Sequence, residues 1–495
     1  MTTGRQQELP PTEATAVAEP AERAPGWGTL WVVLTGIFMI TLDFFIVNVA
    51  IPSTQADLGA SAAQIEFVVA GYGLAYAAGL ITGGRLGDLY GRRRMFSIGL
   101  ALFTLASAAC GLAPDAGSLV AARIFQGVAA AAMAPQVLAI LGVVYTGRYR
   151  AAAFNAYGLT MGIAGIFGQL IGGALIQSDL AGLGWRMCFL INLPVGLVAL
   201  LLVPRVVPES RAPGRERPDL VGALLITLGL VATVLPLVEG RERGWPMWTW
   251  LSLAAAGPLL AVFAAYQHRL AARGGAPLMN LALFRQRAFG AGIVTTLVYY
   301  SGMASFFLVF ALYLQQGRGL SALEAGLMLV PQGLGFMAAS FFAGRLAARL
   351  GRQVLAVGGA ALALGVLGLD VTVEQIGISG NPVLLVPALV VGGVGMGLVM
   401  APLASIVLAG VAPRHVGAAS GALSTALQVG NSVGVALIGV VFYGALDDRT
   451  GADRFPHAYL LSSVLLLALA VAVVALVQLL PGRRAPAPAP ASATA

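Results

Sequence analysis

Lysine is missing from this chain, cysteine occurs only twice, and charge is scarce: 29 arginines and 21 acidic residues make up 10% of 495 residues. Each shortage excludes something. Without lysine there is no P-loop, so the usual drive by nucleotide hydrolysis is excluded. Two cysteines, Cys110 and Cys188, cannot staple a disulfide scaffold. Three isolated histidines (His268, His415, His457) show neither HExxH nor Cys/His metal spacing. No glycine pattern stands in the strand-turn-helix context that binds dinucleotides. Neither a metal nor a cofactor is expected, and nothing clusters as an enzyme's catalytic residues would.

What the chain has in excess is apolar surface. Apolar residues reach 58%, where a soluble domain has about 45–50%. A bilayer-crossing helix needs about 20 mostly apolar residues, so the content suffices for about fourteen. The runs fall at 29–51, 64–83, 95–113, 118–140, 153–175, 187–203, 220–238, 247–266, 289–313, 323–344, 354–371, 383–409, 420–444 and 457–479. They are too long for barrel strands. The fold class is an all-α polytopic membrane protein. Its first span is too long for a signal peptide core, and it contains an acid.

Arginine gives the orientation. With the N-terminus in the cytoplasm, 22 arginines fall in the two tails and the inner gaps, six in the outer gaps, and Arg123 inside a span. Both termini are therefore expected in the cytoplasm. The basic charge reads as topology and attraction to anionic lipid, not as nucleic-acid binding.

A repeat divides the chain. Gly84-Arg85-Leu86-Gly87-Asp88-Leu89-Tyr90-Gly91-Arg92 returns 260 residues later as Gly344-Arg345-Leu346-Ala347-Ala348-Arg349-Leu350-Gly351-Arg352, with both copies expected in cytoplasmic loops. Two related halves are the habit of secondary transporters. Six-helix bundles are expected at 29–203 and 289–480. A linker with two inserted helices occupies 204–288, between disordered tails at 1–28 and 481–495.

Asp43 is the strongest candidate for chemistry. It lies roughly 21 Å into the first span at 1.5 Å per residue. An ionised carboxylate there is expensive, so it should face a cavity or carry a proton part of the time. Arg123 and Gln126, in the fourth span, lie at nearly the same depth. Arginine stays charged, so its expected role is to act on a nearby acid. Glu66, Glu324 and Asp370 fall near outer span ends, within reach of water. Gly158, Gly162, Gly165, Gly168, Gly172 and Gly173 mark a face of the fifth span on which another helix can approach closely. Asn48, Tyr299, Tyr300, Gln332, Ser424, Gln428 and Asn431 are candidates for lining a substrate cavity, with interhelical bonding as the alternative. Phe44, Phe45, Phe306 and Phe307 could stack on an aromatic substrate.

Several of these segments resemble one family. The segment from Gly84 to Arg93 is similar to the signature between the second and third spans of the major facilitator superfamily. Leu119-x-x-x-Arg123-x-x-Gln126-Gly127 resembles its proton-coupling motif. The run from Leu42 to Pro52 resembles the first-span motif of the fourteen-span drug:proton antiporters, and Trp185-Arg186 with Phe189-Leu190-Ile191-Asn192-x-Pro194-x-Gly196 and Tyr313-Leu314-Gln315 also fit that branch.

The resemblance, from about residue 29 to 480, implies two six-helix bundles around a central cavity. It also implies exchange between inward-open and outward-open states. Asp43, Arg123 and Gln126 would couple protons. Gly84, Asp88, Gly91 and Arg92 would lock one conformation through charge contacts, and Gly165, Gly168, Gly172 and Gly173 would match the antiporter motif of the fifth span. Gln169 stands where that motif has proline, Leu89 replaces a common arginine, and Ala348 replaces the acid in the second copy.

The implied function is proton-driven export of amphipathic drugs or antibiotics, neutral or monocationic. It would be carried out by a monomer in a bacterial cytoplasmic membrane, with the proton gradient as energy source. A proton-linked metabolite importer of the same fold is the nearest alternative. A receptor or a membrane enzyme is a more distant one.

Overall fold

The computed structural model describes residues 26–211, 219–275, 277–278, 281–408, 411, 416–447, 451 and 453–480. The expected tails lie outside these apart from residues 26–28. Among the described residues, fourteen helices are long and apolar enough to cross a membrane. In chain order they are α1 (Trp27–Leu58), α2 (Ala62–Tyr90), α3 (Arg92–Gly111), α4 (Ala116–Val144), α5 (Gly147–Ser178), α6 (Gly184–Val206), α7 (Leu220–Glu242), α8 (Met247–Ala272), α9 (Arg287–Gly317), α10 (Ala322–Leu350), α11 (Gln353–Ile376), α12 (Pro382–Leu408), α13 (Val416–Asp447) and α14 (Arg454–Val477).

The 260-residue repeat is visible in local structure. Ser61 begins α2 with a capping box, accepting the Gln64 N–H at 3.2 Å while the Gln64 side chain accepts the Ser61 N–H at 2.9 Å. Ser321 begins α10 in the same way with Glu324. Each cap stabilises its helix start by about 1 kcal/mol. Both helices stop at glycine in the left-handed half of backbone space, Gly91 at φ 109° and Gly351 at φ 58°. This corrects the expectation that the repeated motif is a loop. Gly84–Tyr90 are the last turns of α2 and Arg92 starts α3. Leu, Arg and Ala favour helix, and only the glycine at the end stops it.

Packing follows the repeat. In the first half α2 packs on α4 and α1 on α5; in the second, α10 packs on α12 and α9 on α13. The halves meet along two seams, α2 against α13 and α5 against α10. The inserted α7 lies over the first seam, touching α2 and α13, while α8 packs on α7 and is largely exposed. Both seams need small residues. Atoms of Ala322 and Leu323 sit where a Cβ on Gly173 would go, and the Gln169 carbonyl oxygen would lie 2.7 Å from a Cβ on Gly326.

The glycine face of α5 has two uses. Gly168 and Gly172 admit α1, where an added Cβ would lie 2.9 Å from Phe45 Cβ and 2.6 Å from Ile46 Cγ1. Gly173 admits α10, whereas Gly158 has nothing within 4 Å.

At the face poor in arginine, hydrogen bonds join the halves. α9 ends in a wide π turn, Tyr313–Gly317, which aims two amides at α1. Gln315 donates to the Val49 carbonyl at 3.2 Å and Gln316 to Gln55 at 3.0 Å. Arg241 of α7 pairs with Asp447 of α13 at 2.7 Å, and Glu242 accepts the Ala63 N–H at 2.7 Å. Trp185 and Arg186 both hold Asp57, tying the end of α1 to the start of α6.

Glu66 departs from expectation. It was placed within reach of water, yet it is 2% exposed. The backbone of α13 at Gly439 lies against its carboxyl group, and Glu242 of α7 holds the start of the same helix. Depth along one span does not include a helix of the other half packed against the side chain. Glu324 is exposed and caps Ser321, and Asp370 is half-buried.

Gly172→Val should lower stability by about 1–3 kcal/mol through overpacking against Ile46. Gly158→Ala, entering open space on the same helix, should leave it unchanged or raise it. Thermal unfolding midpoints of the two purified variants check this.

Candidate functional site

The first half carries its charge at the centre. Asp43 of α1 and Arg123 of α4 are both 0% exposed and form an ion pair. Arg123 Nε also donates to the Val68 carbonyl at 2.9 Å, and Nη1 to Gln126 Oε1 at 2.6 Å. That last bond follows from the i, i+3 spacing, which puts both side chains on one face of α4. Gln126 Nε2 donates to Asp43 Oδ1 at 2.9 Å and to Ser107 Oγ at 2.8 Å. Asn192 of α6 reaches Asp43 Oδ1 at 3.4 Å and Ser107 at 3.2 Å. The Tyr72 ring lies 4.2 Å from the guanidinium carbon, the geometry of a cation–π contact.

Five helices of the first half therefore converge on one carboxylate and one guanidinium. The three residues expected to couple protons are brought into direct contact. Of the two expectations for Asp43, a cavity or part-time protonation, the first is not met at either cavity described below; a guanidinium compensates the carboxylate inside the bundle. Breaking such a pair by removing one partner costs about 3–5 kcal/mol, because the other is left as an uncompensated buried charge. One guanidinium nitrogen, Arg123 Nη2, has no hydrogen-bond partner.

The sequence reading missed Ser107, Tyr72 and the role of Asn192. Asn192 stood inside a quoted motif, so a signal existed. Ser107 and Tyr72 are single polar residues on other helices, with nothing in their spacing to join them to Asp43.

A cavity, partly open to its surroundings, lies between the halves. Phe45 of α1 and Gly162, Gly165 and Gln169 of α5 form one wall, and Gln332 and Phe336 of α10 belong to the other. A second cavity opens into the other half; it shares Met303, Gln332 and Met396 with the first and includes Tyr299. Of the expected lining residues, Tyr299 and Gln332 are in place. Asn48 bonds back to the Phe44 carbonyl at 2.9 Å. Gln428 and Asn431 bond each other at 3.4 Å, and the Gln428 backbone borders the α2–α13 seam at Gly73. Tyr300 packs edge-on against Tyr299. Asn48, Tyr300, Ser424, Gln428 and Asn431 line neither cavity. Phe45 meets Phe307 edge-to-face at 5.1 Å across the gap between halves.

The repeated motif is tied down locally. Asp88 accepts from Arg92 at 2.8 Å, one turn away. The Arg93 and Arg94 N–H groups donate to Glu209 at 3.0 and 3.2 Å, which anchors the α2–α3 corner to the chain leaving α6. Gly91 fits here because a Cβ would lie 2.7 Å from Glu209 Oε1. Gly84 lies against Pro135 of α4.

Arg123→Gln should destabilise the protein by about 3–5 kcal/mol by stranding Asp43. Adding Asp43→Asn to it should recover most of that loss. Denaturation midpoints of the two single variants and the double variant close this cycle.

Comparison with known proteins agrees with this architecture. A model described as Major Facilitator Superfamily matches residues 33–299 and 292–495. The chain is 40% identical to a probable actinorhodin transporter of Streptomyces coelicolor, over 90% of this chain and 77% of that one. It is 37% identical to a puromycin resistance protein of Streptomyces alboniger, covering 88% and 85%. A multidrug resistance protein of Mycobacterium tuberculosis is 33% identical, covering 85% and 76%. Among solved structures, a peptide transporter in complex with alafosfalin aligns with TM-score 0.66 at 15% identity, covering 94% and 97%. The xylose transporter XylE from E. coli aligns at 0.61 and 13%, covering 90% and 96%. At such identities the structures show the fold alone. Fourteen spans, two six-helix bundles and the sequence match lead to one conclusion: this chain is a transporter of the Major Facilitator Superfamily.

Proposed function

We propose that the protein is a proton-coupled antiporter that exports amphipathic drugs or antibiotics, neutral or monocationic, across a bacterial cytoplasmic membrane and so confers resistance. The observation that carries this reading is the buried Asp43–Arg123 pair. A proton and a guanidinium compete for the same carboxylate. Protonating Asp43 removes the charge that compensates Arg123, and the bundle must rearrange to supply another partner. The names of the relatives, a probable actinorhodin transporter, a puromycin resistance protein and a multidrug resistance protein, support the direction and the class of substrate.

The rearrangement has a route to the cavity. Asp43 and Phe45 are two residues apart on α1, and Phe45 both lines the cavity and rests on Gly168 of α5. A shift of α1 at Asp43 therefore moves the cavity wall. With the arginine-rich face and both termini in the cytoplasm, as the arginine bias supports, the Gln315–Val49 and Gln316–Gln55 bonds lie outside. They must break for substrate to leave. A proton returning across 100 mV supplies about 2.3 kcal/mol, enough to offset the loss of a few such contacts.

In proteoliposomes, efflux of amphipathic antibiotics by the wild type should rise with an imposed pH gradient. The Asp43→Asn variant should lose that dependence. Undiminished proton-coupled efflux in the variant would contradict the assignment.

A further inference from the structure

Gln169 is an anomaly. It occupies the position where the fifth-span motif of the antiporters it resembles has proline. Its side chain is 2% exposed, yet neither its amide oxygen nor its amide nitrogen has a hydrogen-bond partner. An amide buried without partners costs free energy. Across the same cavity stands Gln332, 5% exposed, whose amide oxygen is also unpartnered and whose nitrogen has only the sulfur of Met396, at 3.1 Å. Gln169 belongs to α5 in the first half and Gln332 to α10 in the second. Both line the cavity between the halves.

We infer that Gln169 and Gln332 form an amide clamp, one jaw on each half, for an uncharged flat aromatic molecule carrying carbonyl and hydroxyl groups on its edge. The clamp rests on the reading of this cavity as the substrate chamber. The remaining walls set the class. Neither cavity has an ionisable acid or base in its lining other than tyrosine. The only acid at mid-depth in the first span, Asp43, is committed to Arg123 inside the first bundle. A cation would therefore enter without a counter-charge, and an uncharged molecule suits the site better than the monocation that the sequence alone left open.

Phe45, Phe307 and Phe336 provide aromatic surface. The methionines Met161, Met303, Met396 and Met400 provide polarisable surface that adapts to different ring systems. Gly162 and Gly165 let the Phe336 and Phe45 rings lie close against α5. Three free amide atoms, two acceptors and one donor, match hydroxyl and carbonyl groups on a ligand edge. Because the jaws lie on opposite halves, a molecule bonded to both bridges the seam where α5 and α10 already meet.

The test is equilibrium binding to the purified full-length protein in lipid nanodiscs, with no gradient imposed. The probes are quinizarin, an uncharged dihydroxyanthraquinone, and anthracene, which has a similar ring system without the oxygens. Wild type should bind quinizarin saturably. Gln169→Leu and Gln332→Leu should each weaken it about tenfold, the scale of one lost buried hydrogen bond, and leave anthracene unchanged. Retained anthracene binding also shows that the variants fold with the cavity intact.

Four results would overturn the clamp: no saturable quinizarin binding by wild type, wild-type affinity in either variant, equal loss of both probes, or tighter binding of the cation tetraphenylphosphonium than of quinizarin. The readout needs no proton flux. Failure of proton coupling with the clamp intact would thus be told apart from failure of the clamp in a working antiporter.

Discussion

A charge placed in the middle of a bilayer-spanning bundle must be compensated, and in this protein one contact does it: the carboxylate of Asp43 against the guanidinium of Arg123. Both are fully buried. Gln126, Ser107, Asn192 and the Val68 carbonyl satisfy most of the remaining polar atoms, with the Tyr72 ring beside the guanidinium. Because the groups of this network come from five helices, the pair also fixes how the other four sit around α1. A neutral core would hold them with less electrostatic risk. On the proposed function the polar core has a different advantage, since its contacts would change when one proton is added.

The rest of the architecture lets that change travel. α1 lies against glycines of α5, so it is closely packed without interlocking large side chains. The seams between halves follow the same pattern, with Gly173 and Gly326 on α5 and α10 and Gly73 and Gly439 where α2 meets α13. Surfaces of small residues pack closely by dispersion and present few protruding side chains to resist sliding. Polar contacts close the arginine-poor face, where the π turn at the end of α9 directs Gln315 and Gln316 to α1. The inserted α7 adds Arg241 and Glu242 to that closure, and α13 covers Glu66 at Gly439.

Much of this was legible in the sequence, for physical reasons. Apolar run length specifies crossing helices, and all fourteen runs are helices. Asp43, Arg123 and Gln126 were marked by depth, because few residues other than functional or paired ones survive there. Three things were not legible. The burial of Glu66 depends on a helix from another part of the chain. The partners Ser107 and Tyr72 are ordinary polar residues until α2 and α3 bring them to Arg123 and Gln126. The repeated motif read as a loop because arginine and glycine suggest one, although its residues form helix up to Gly91 and Gly351. Gln169 was legible only as a departure from a pattern; its unpartnered amide required the fold.

The central claim is that a proton and Arg123 compete for Asp43 and that this competition is coupled to the cavity. The most direct measurement is proton release when substrate binds the purified protein in weakly buffered detergent, followed with a pH-sensitive dye. The account predicts release from the wild type at acidic pH and none from Asp43→Asn, with substrate still bound. Equal proton release from both proteins would contradict it.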